Sequence, residues 1–324
     1  MPTLHVLYTG GTIGSAGQPL QPMAGEDFSR LLDGVPGFAG GRLDGGELTW
    51  TLSCLEPPLD SADMAPPDWL RIARATLERS AGCDGVVVLH GTDTLAWTAA
   101  ALSFLLAGIP TPVVLTGSQR PLAAPGTDAI DNLRLALRDA ASGLPGVRVA
   151  FGGRVLPAVG VLKIDAAADV AFDAPRGSLS SVGDWADSNP AERLARIDPS
   201  VRVACLHLYP GIEPATLDAV LAQPVAGLVL AAYGAGNAPS APAFLASLRK
   251  AHARGVTIVV VTQALRGVVR LGEYQTGAGL EAAGAVSGGG MSPVAACAKL
   301  WVLRAQGYSQ ADTEALMQRS LVGE

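Results

Sequence analysis

Short runs rich in Val, Leu and Ile alternate along this chain with longer segments of helical spacing, and that rhythm constrains the fold more than any other feature. It is the pattern of parallel strands joined by crossover helices. The spacing predicts strands over Leu4–Thr9, Leu48–Ser53, Gly85–His90, Pro112–Thr116 and Val147–Phe151. Helices are expected over Pro66–Ser80, Thr94–Ala107 and Thr127–Ala141, the first opened by a Pro-Pro pair and entered from Asp63. From Asp184 to Ser200 the strand pattern gives way to charge, Pro and Asn, which marks a linker. Beyond it the rhythm restarts, with strands over Val201–Leu208, Val225–Ala231 and Val256–Val261. Helices follow from Pro214 and over Pro239–Ala253, and two more close the chain after Pro293 and Ser309. The expectation is an α/β protein: a larger N-terminal parallel-sheet domain of flavodoxin or Rossmann kind (1–183), a linker (184–200) and a smaller C-terminal α/β domain (201–324). A length of 324 residues agrees with two cores at about 150 residues each.

Composition narrows the classes of function. Hydrophobic residues make up 49 % and charged residues 16 %, which excludes a disordered chain. The longest uncharged stretches, Thr94–Gln119 and Ala219–Leu248, are cut by turn residues (Gly108, Pro110 and Pro112; Gly234, Gly236, Asn237 and Pro239), so neither reads as a bilayer-spanning helix. Met1–Tyr8 has no basic segment leading into a long apolar one, and a cytoplasmic protein is expected. Net charge is −6 and the basic residues are scattered, which leaves no footprint for nucleic acid or a membrane surface. A small-molecule partner is expected instead. Cys54, Cys83, Cys205 and Cys297 are far apart without a C-x-x-C pair and read as reduced core thiols. The four histidines form no H-x-x-x-H or Cys/His cluster, so no structural zinc site is expected.

In open parallel sheets chemistry sits in loops at the carboxyl ends of strands. Two such loops share a grammar: T-G-G-T-I-G (Thr9–Gly14) after the first strand, and H-G-T-D-T (His90–Thr94) after the strand from Gly85. Glycines let the backbone approach a ligand, and free N–H groups there can hold a carboxylate or an oxyanion. Thr12 and Thr92 are then presented as hydroxyls. A threonine hydroxyl is a poor nucleophile without a base or a nearby cation. Lys163, after the apolar run Val159–Leu162, is the candidate helper, and Asp93 either pairs with that amine or binds a substrate ammonium group. Each loop alone also reads plainly as a turn or a helix cap, and His90 reads as a satisfied core histidine. The S-x-x-K match at Ser247–Lys250 has no S-D-N or K-T-G partner, and Gly288–Gly290 is not a G-x-G-x-x-G loop but a strand-to-helix connection.

T-G-G-T-I-G, D-S-A-D-M (Asp60–Met64), L-H-G-T-D-T (Leu89–Thr94), T-G-S-Q-R-P (Thr116–Pro121), Lys163 and Y-G-A-G-N-A-P (Tyr233–Pro239) occur in this order. Together they resemble the bacterial-type L-asparaginase family, and more closely its cytoplasmic type I branch. The resemblance implies hydrolysis of L-asparagine to L-aspartate and ammonia without a cofactor, in a homodimer or a homotetramer built from intimate dimers. It implies that Thr12 is the nucleophile of an acyl-enzyme and that Thr92, Asp93 and Lys163 form a supporting triad. Backbone N–H groups of Gly11 and Thr92 would stabilise the oxyanion. Ser61 would bind the substrate α-carboxylate and Asp93 its α-ammonium; the Ser118 carbonyl would face the amide, and Asn237 would come from across the dimer interface.

Some positions depart from the family pattern. Members usually carry a tyrosine on the loop after T-G-G-T-I-G, whereas Ile13–Thr49 contains none and Leu20 falls near its place. Allosteric type I enzymes carry an arginine, a threonine and a cysteine where this chain has Ala231, Leu162 and Ala264, so hyperbolic kinetics are expected. Two other functions stay open at this point: a glutaminase-asparaginase or related amidohydrolase with a widened pocket, and a catalytically weak homologue that binds amino acids.

Overall fold

A computed structural model describes residues 1–176, 183–273 and 275–324. The chain divides into two compact units, Met1–Leu179 with Asp187–Leu194, and Ser180–Ala186 with Ala195–Glu324.

In the first unit β1 (Thr3–Gly10) leads into a short antiparallel ladder, β2 (Ser15–Ala16) with β3 (Gln21–Pro22). The main sheet adds β4 (Arg42–Leu43), β5 (Leu48–Leu59), β6 (Gly85–Leu89), β7 (Pro112–Thr116), β8 (Gly146–Phe151) and β9 (Arg154–Pro157), in the order β4-β5-β1-β6-β7-β8-β9. Antiparallel β4 and β9 form its edges, and the five strands between them are parallel. Taken in chain order, those five lie 2-1-3-4-5, so the direction of winding reverses between β1 and β6. At such a switch point the carboxyl-end loops diverge and leave a crevice, the usual ligand site of open α/β sheets.

Four helices flank this sheet: α1 (Gly25–Asp33), α2 (Pro66–Ser80), α3 (Leu95–Leu105) and α4 (Ala129–Ala140). Alternation assigns their partners, because successive strand residues face opposite sides. Leu4, Val6, Tyr8, Val87, Leu89 and Val114 share a core with Phe28 and Leu32 of α1 and Leu133 and Leu137 of α4. Leu7, Val86, Val88, Val113 and Leu115, equally buried, point to the face covered by α2 and α3. Helix α3 is buried at every position except Trp97, which is why its sequence carries no charge. Two short strands, β10 (Leu162–Lys163) and β11 (Phe172–Asp173), pair as an antiparallel ladder.

The structure corrects several sequence expectations. Strand β5 runs to Leu59 rather than Ser53, through Pro57 and Pro58, because β4 pairs only with its first residues and an edge strand tolerates proline. Helix α2 is capped not by Asp63 but by Asp68 in its first turn, whose carboxylate accepts the Ala65 N–H at 3.1 Å. The stretch 184–200 is not bare chain, since it contains α5 (Pro190–Arg196). Arg193 there is buried and donates to the carbonyls of Leu105 and Ala107 (3.1 and 3.0 Å) at the end of α3, where helix carbonyls lack partners. Cys205 is exposed rather than a core thiol, whereas Cys297 is buried and Cys54 and Cys83 are half-buried; all four are free.

The second unit holds four parallel strands in sequential order: β12 (Val203–His207), β13 (Gly227–Ala232), β14 (Thr257–Thr262) and β15 (Ala285–Ser287). Sequential right-handed crossovers place α6 (Pro214–Leu221), α7 (Pro242–Ala253) and α8 (Gln275–Glu281) on one face. Leu217 and Leu221 of α6 and Phe244 and Leu248 of α7 pack there on Leu228, Leu230, Ile258 and Val260. The other face is covered by α9 (Pro293–Ala305) over β12 and β13 and by α10 (Gln310–Met317) over β14. Gly288–Gly290 connects β15 to α9 as the sequence predicted. Among the described residues no helix is long and apolar enough to cross a membrane.

Candidate active site

The loops after β1 and β6 meet backbone to backbone at the switch point. A Cβ on Gly11 would lie 2.3 Å from the Gly91 nitrogen, and one on Gly91 would lie 2.4 Å from the Ser61 hydroxyl. Gly11 also has φ of +85°, a region that L side chains avoid. Glycine is therefore required at both places for steric reasons, and this is what the repeated G-T grammar encodes. Ser61 arrives from the other side on a short turn after β5, where Asp60 accepts the Ala62 N–H at 3.0 Å. Thr94 ties that turn down, donating its hydroxyl to the Ser61 carbonyl at 2.7 Å. Thr94 thus fastens two loops, and its side chain caps no helix.

A polar network is built around Thr92, which is 5 % exposed. Lys163 Nζ donates to Thr92 Oγ1 at 3.0 Å and to Asp93 Oδ1 at 2.8 Å. The Thr92 hydroxyl donates in turn to Gln119 Oε1 at 3.2 Å. Lys163 is mostly covered while Asp93 is exposed, so the carboxylate faces outward with its second oxygen available to a cationic ligand. Of the two readings of Asp93, the structure shows the pairing with the amine and leaves room for the other.

Thr12 is half-buried at the start of a single helical turn, and its hydroxyl has no hydrogen-bond partner among the described residues. The backbone N–H groups of Gly11 and Thr92 likewise have no acceptor among the described residues. Both residues are buried, and buried amides are rarely left unpaired without a purpose. Such a pair of donors suits a developing oxyanion.

The T-G-S-Q-R-P segment is held rigidly from below. Asp128 accepts the N–H groups of Gln119 and Arg120 at 2.8 and 3.0 Å, and Asn132 donates to the Gly117 carbonyl at 3.1 Å. Ser118 is fully buried and donates its hydroxyl to the Arg120 carbonyl at 2.5 Å. Gln119, Asp128 and Asn132 were not singled out from the sequence. Gln119 lay inside a quoted motif, but Asp128 and Asn132 are ordinary helix-start residues whose contacts only the fold reveals. His90 is fully buried, as the plain reading had it, with Nδ1–H donating to the Gly91 carbonyl at 2.7 Å and Nε2 against Met64 Sδ at 3.0 Å. Burial pushes its pKa down to about 4 against the opposing effect of the Gly91 hydrogen bond, so it is a neutral spacer at neutral pH.

Leu20 is exposed on the turn between β2 and β3. The nearby tyrosine, Tyr8, is buried in β1, stacks on Phe28 and donates to the Gly14 carbonyl at 3.2 Å, so it braces the loop from below. Asn237 lies in the second unit, where its backbone pairs with Tyr233 in the turn after β13. No group of three or more His, Cys, Asp or Glu residues among the described residues is placed to hold a metal ion.

A doubly wound sheet with paired glycine-threonine loops at its switch point, and a lysine bridging a threonine and an aspartate there, places the chain among α/β proteins with a small-ligand site at the carboxyl ends of their strands, and comparison with known proteins narrows that class. Residues 3–190 match the family model described as asparaginase, N-terminal, and residues 202–317 match the glutaminase/asparaginase C-terminal domain. The chain belongs to the asparaginase family. It is 36 % identical to L-asparaginase 1 of Escherichia coli strain K12 over 337 aligned positions, covering 99 % of this chain and 97 % of that one. The crystal structure of L-asparaginase I from Vibrio cholerae superposes with a TM-score of 0.84 at 34 % identity, covering 100 % and 98 % of the two chains. A probable cytoplasmic L-asparaginase from Campylobacter jejuni gives a TM-score of 0.76 at 25 % identity, with 98 % and 100 % covered.

Proposed function

We propose that this protein is an L-asparaginase that hydrolyses L-asparagine to L-aspartate and ammonia. The observation that carries the reading is Lys163 bridging Thr92 and Asp93 beside the unpaired donors of Gly11 and Thr92. Asparagine is a zwitterion with one amide to cleave, so its site needs an anchor for each charge, a hydroxyl, and donors for an oxyanion. Asp93 takes the α-ammonium, and Ser61 takes the α-carboxylate. The Thr12 hydroxyl attacks the amide carbon, and the N–H groups of Gly11 and Thr92 receive the negative charge on the former carbonyl oxygen. Collapse breaks the carbon–nitrogen bond, ammonia leaves after taking up a proton, and water then cleaves the Thr12 ester to give aspartate. Thr92 and Lys163 form the proton path, since a hydroxyl that accepts from an amine and donates to Gln119 can exchange protons in either direction. The Ser118 carbonyl orients the amide nitrogen.

Residues 1–183 form the catalytic domain and residues 184–200 lead to the C-terminal domain (201–324), a division supported by the gap between the matched family models, which falls between 190 and 202, inside that connecting stretch. The protein works in the cytoplasm as a homodimer or homotetramer, with Asn237 serving a neighbouring subunit's site. The exposed apolar side chains Tyr209, Leu265 and Val268, on loops leaving the carboxyl ends of β12 and β14, support such an assembly.

The test is ammonia release from L-Asn and L-Gln by the purified protein near neutral pH, with mass measured by light scattering. Fast release from Asn and little from Gln is expected, from a species of at least two chains. Comparable kcat/KM for both would make it a glutaminase-asparaginase, and binding without turnover would overturn the reading.

A further inference from the structure

We propose that Cys205 and Cys297 form an oxidant-responsive dithiol that closes to a disulfide within the second unit. The two residues are remote in sequence, and the fold brings them together. On β12, Ala204 and Leu206 pack into the core on the α6 and α7 face, so alternation turns Cys205 to the α9 face. Helix α9 runs antiparallel to that strand: Trp301 Nε1 donates to the Val201 carbonyl at 3.1 Å, and Leu300 sits where a Cβ on Gly227 would lie, 2.6 Å away. Gly227 pairs with Val203 and Val229 with Cys205. Moving from Leu300 to Cys297 climbs about 4.5 Å of helix, and moving from Val203 to Cys205 climbs about 6.6 Å of strand, which brings the two cysteines to the same level. The two thiols face one another there, close enough that each shifts the ionisation of the other.

Their environments differ in the way a reactive pair requires. Cys205 is exposed on an edge strand, and Cys297 is buried in α9. The neighbouring Cys297 thiol lowers the Cys205 thiol below its ordinary value; the same neighbour effect, with burial, pushes Cys297 up. Cys205 is therefore the accessible thiol, the more readily ionised of the two, and Cys297 the sheltered second thiol. The other two cysteines lack this arrangement: burial raises both, and the Cys83 thiol is spent on the carbonyls of Arg79 and Gly85.

With a hydroperoxide as oxidant, the Cys205 thiolate attacks the terminal oxygen and the O–O bond breaks, giving a sulfenic acid and an alkoxide, or hydroxide where the oxidant is hydrogen peroxide. The Cys297 sulfur then attacks the Cys205 sulfur, and the sulfenic oxygen leaves as water with the thiol proton. With hydrogen peroxide, two thiols become one disulfide and two waters form. The bond would staple the edge strand to the helix that covers it, and a dithiol reductant would reverse it.

The experiment is peptide mapping of the full-length protein under non-reducing conditions after a brief treatment with hydrogen peroxide. The expected product is a Cys205–Cys297 crosslinked peptide, lighter by two hydrogens and lost on reduction with dithiothreitol. In Cys297→Ser the Cys205 sulfenic acid should persist and be trapped by dimedone, and in Cys205→Ser peroxide consumption should fall at least tenfold. The wild-type map does not depend on either variant folding. Oxidation that appears first at Cys54 or Cys83, or over-oxidation of Cys205 with Cys297 unchanged in the wild type, would overturn the proposal.

Discussion

Thr12 and Thr92 occupy equivalent places on neighbouring strands, each following a glycine at the carboxyl end of a parallel strand, yet their surroundings differ. Thr92 is buried and saturated: it accepts from Lys163, donates to Gln119, and its neighbour Asp93 holds the same amine. Thr12 is more open, and its hydroxyl bonds to nothing among the described residues. The fold has spent its polar partners on one hydroxyl and left the other for a ligand. That division suits a reaction in which one hydroxyl bonds to substrate while the other moves protons, because a nucleophile already locked in hydrogen bonds must break them before it attacks.

The sharpest test of this division separates activity from stability. Thr12→Ala should lower kcat by about a thousandfold or more, as expected for a residue that forms a covalent intermediate, while the thermal midpoint stays within the scatter of surface substitutions. Thr12→Ser should retain part of the rate. Thr92→Val is expected to lower kcat by about a hundredfold and to destabilise the fold by about 1–2 kcal/mol, since Gln119 and Lys163 each lose a partner in a buried place. Denaturant titrations beside steady-state kinetics would check both. A Thr12→Ala protein as destabilised as Thr92→Val would erase the distinction.

Acid should act on the Thr92 loop through His90. The folded pKa is near 4 and the ordinary value is 6.5, so in that window the unfolded chain binds a proton that the folded chain refuses. Stability is then complete above pH 6.5 and falls as the pH drops toward 4; between pH 7 and pH 5 this one group costs about 2 kcal/mol. His5 is likewise lowered to about 4, by burial and then by Arg79, and it sits between the hydroxyls of Thr51 and Ser53 toward the amino end of β1, away from the carboxyl-end loops. Urea midpoints at pH 7 and 5 should show a shallower pH dependence in His90→Gln than in wild type. An unchanged slope would assign the acid sensitivity to His5 or to carboxylates.

Much of this was legible before any coordinates. The βα rhythm marked the main parallel strands because both faces of each are buried, so Val, Leu and Ile run without interruption. The two G-T loops were legible for a steric reason, since Gly11 and Gly91 stand where no Cβ fits. What escaped was set by tertiary contact. Nothing in the sequence near Pro57 and Pro58 says that the strand continues along a sheet edge, and nothing near Asp128 says that its carboxylate holds two amides nine and eight residues back. The meeting of Cys205 with Cys297 depends on how α9 crosses β12, and no spacing rule encodes that. Lys163 was readable only beside its motifs; its partners Thr92 and Asp93 lie seventy residues and more away along the chain.

Gln119 offers the finest test of how the Thr92 half works. Its carbonyl oxygen accepts the Thr92 hydroxyl, its amide donates to the Ala168 carbonyl at 3.2 Å, and its backbone N–H is held by Asp128. Gln119→Ala leaves the backbone clamp intact and removes only the acceptor, so the Thr92 proton loses its direction while Lys163 still donates to the same oxygen. A single neutral hydrogen bond is worth about 1 kcal/mol, and kcat should fall about five- to tenfold with KM little changed. Gln119→Glu restores an acceptor oxygen at the same reach and should recover most of the rate. Equal losses in both variants would mean that the amide N–H donated to the Ala168 carbonyl, which both variants lack, is what matters, and that the Thr92 hydroxyl is oriented by Lys163 alone.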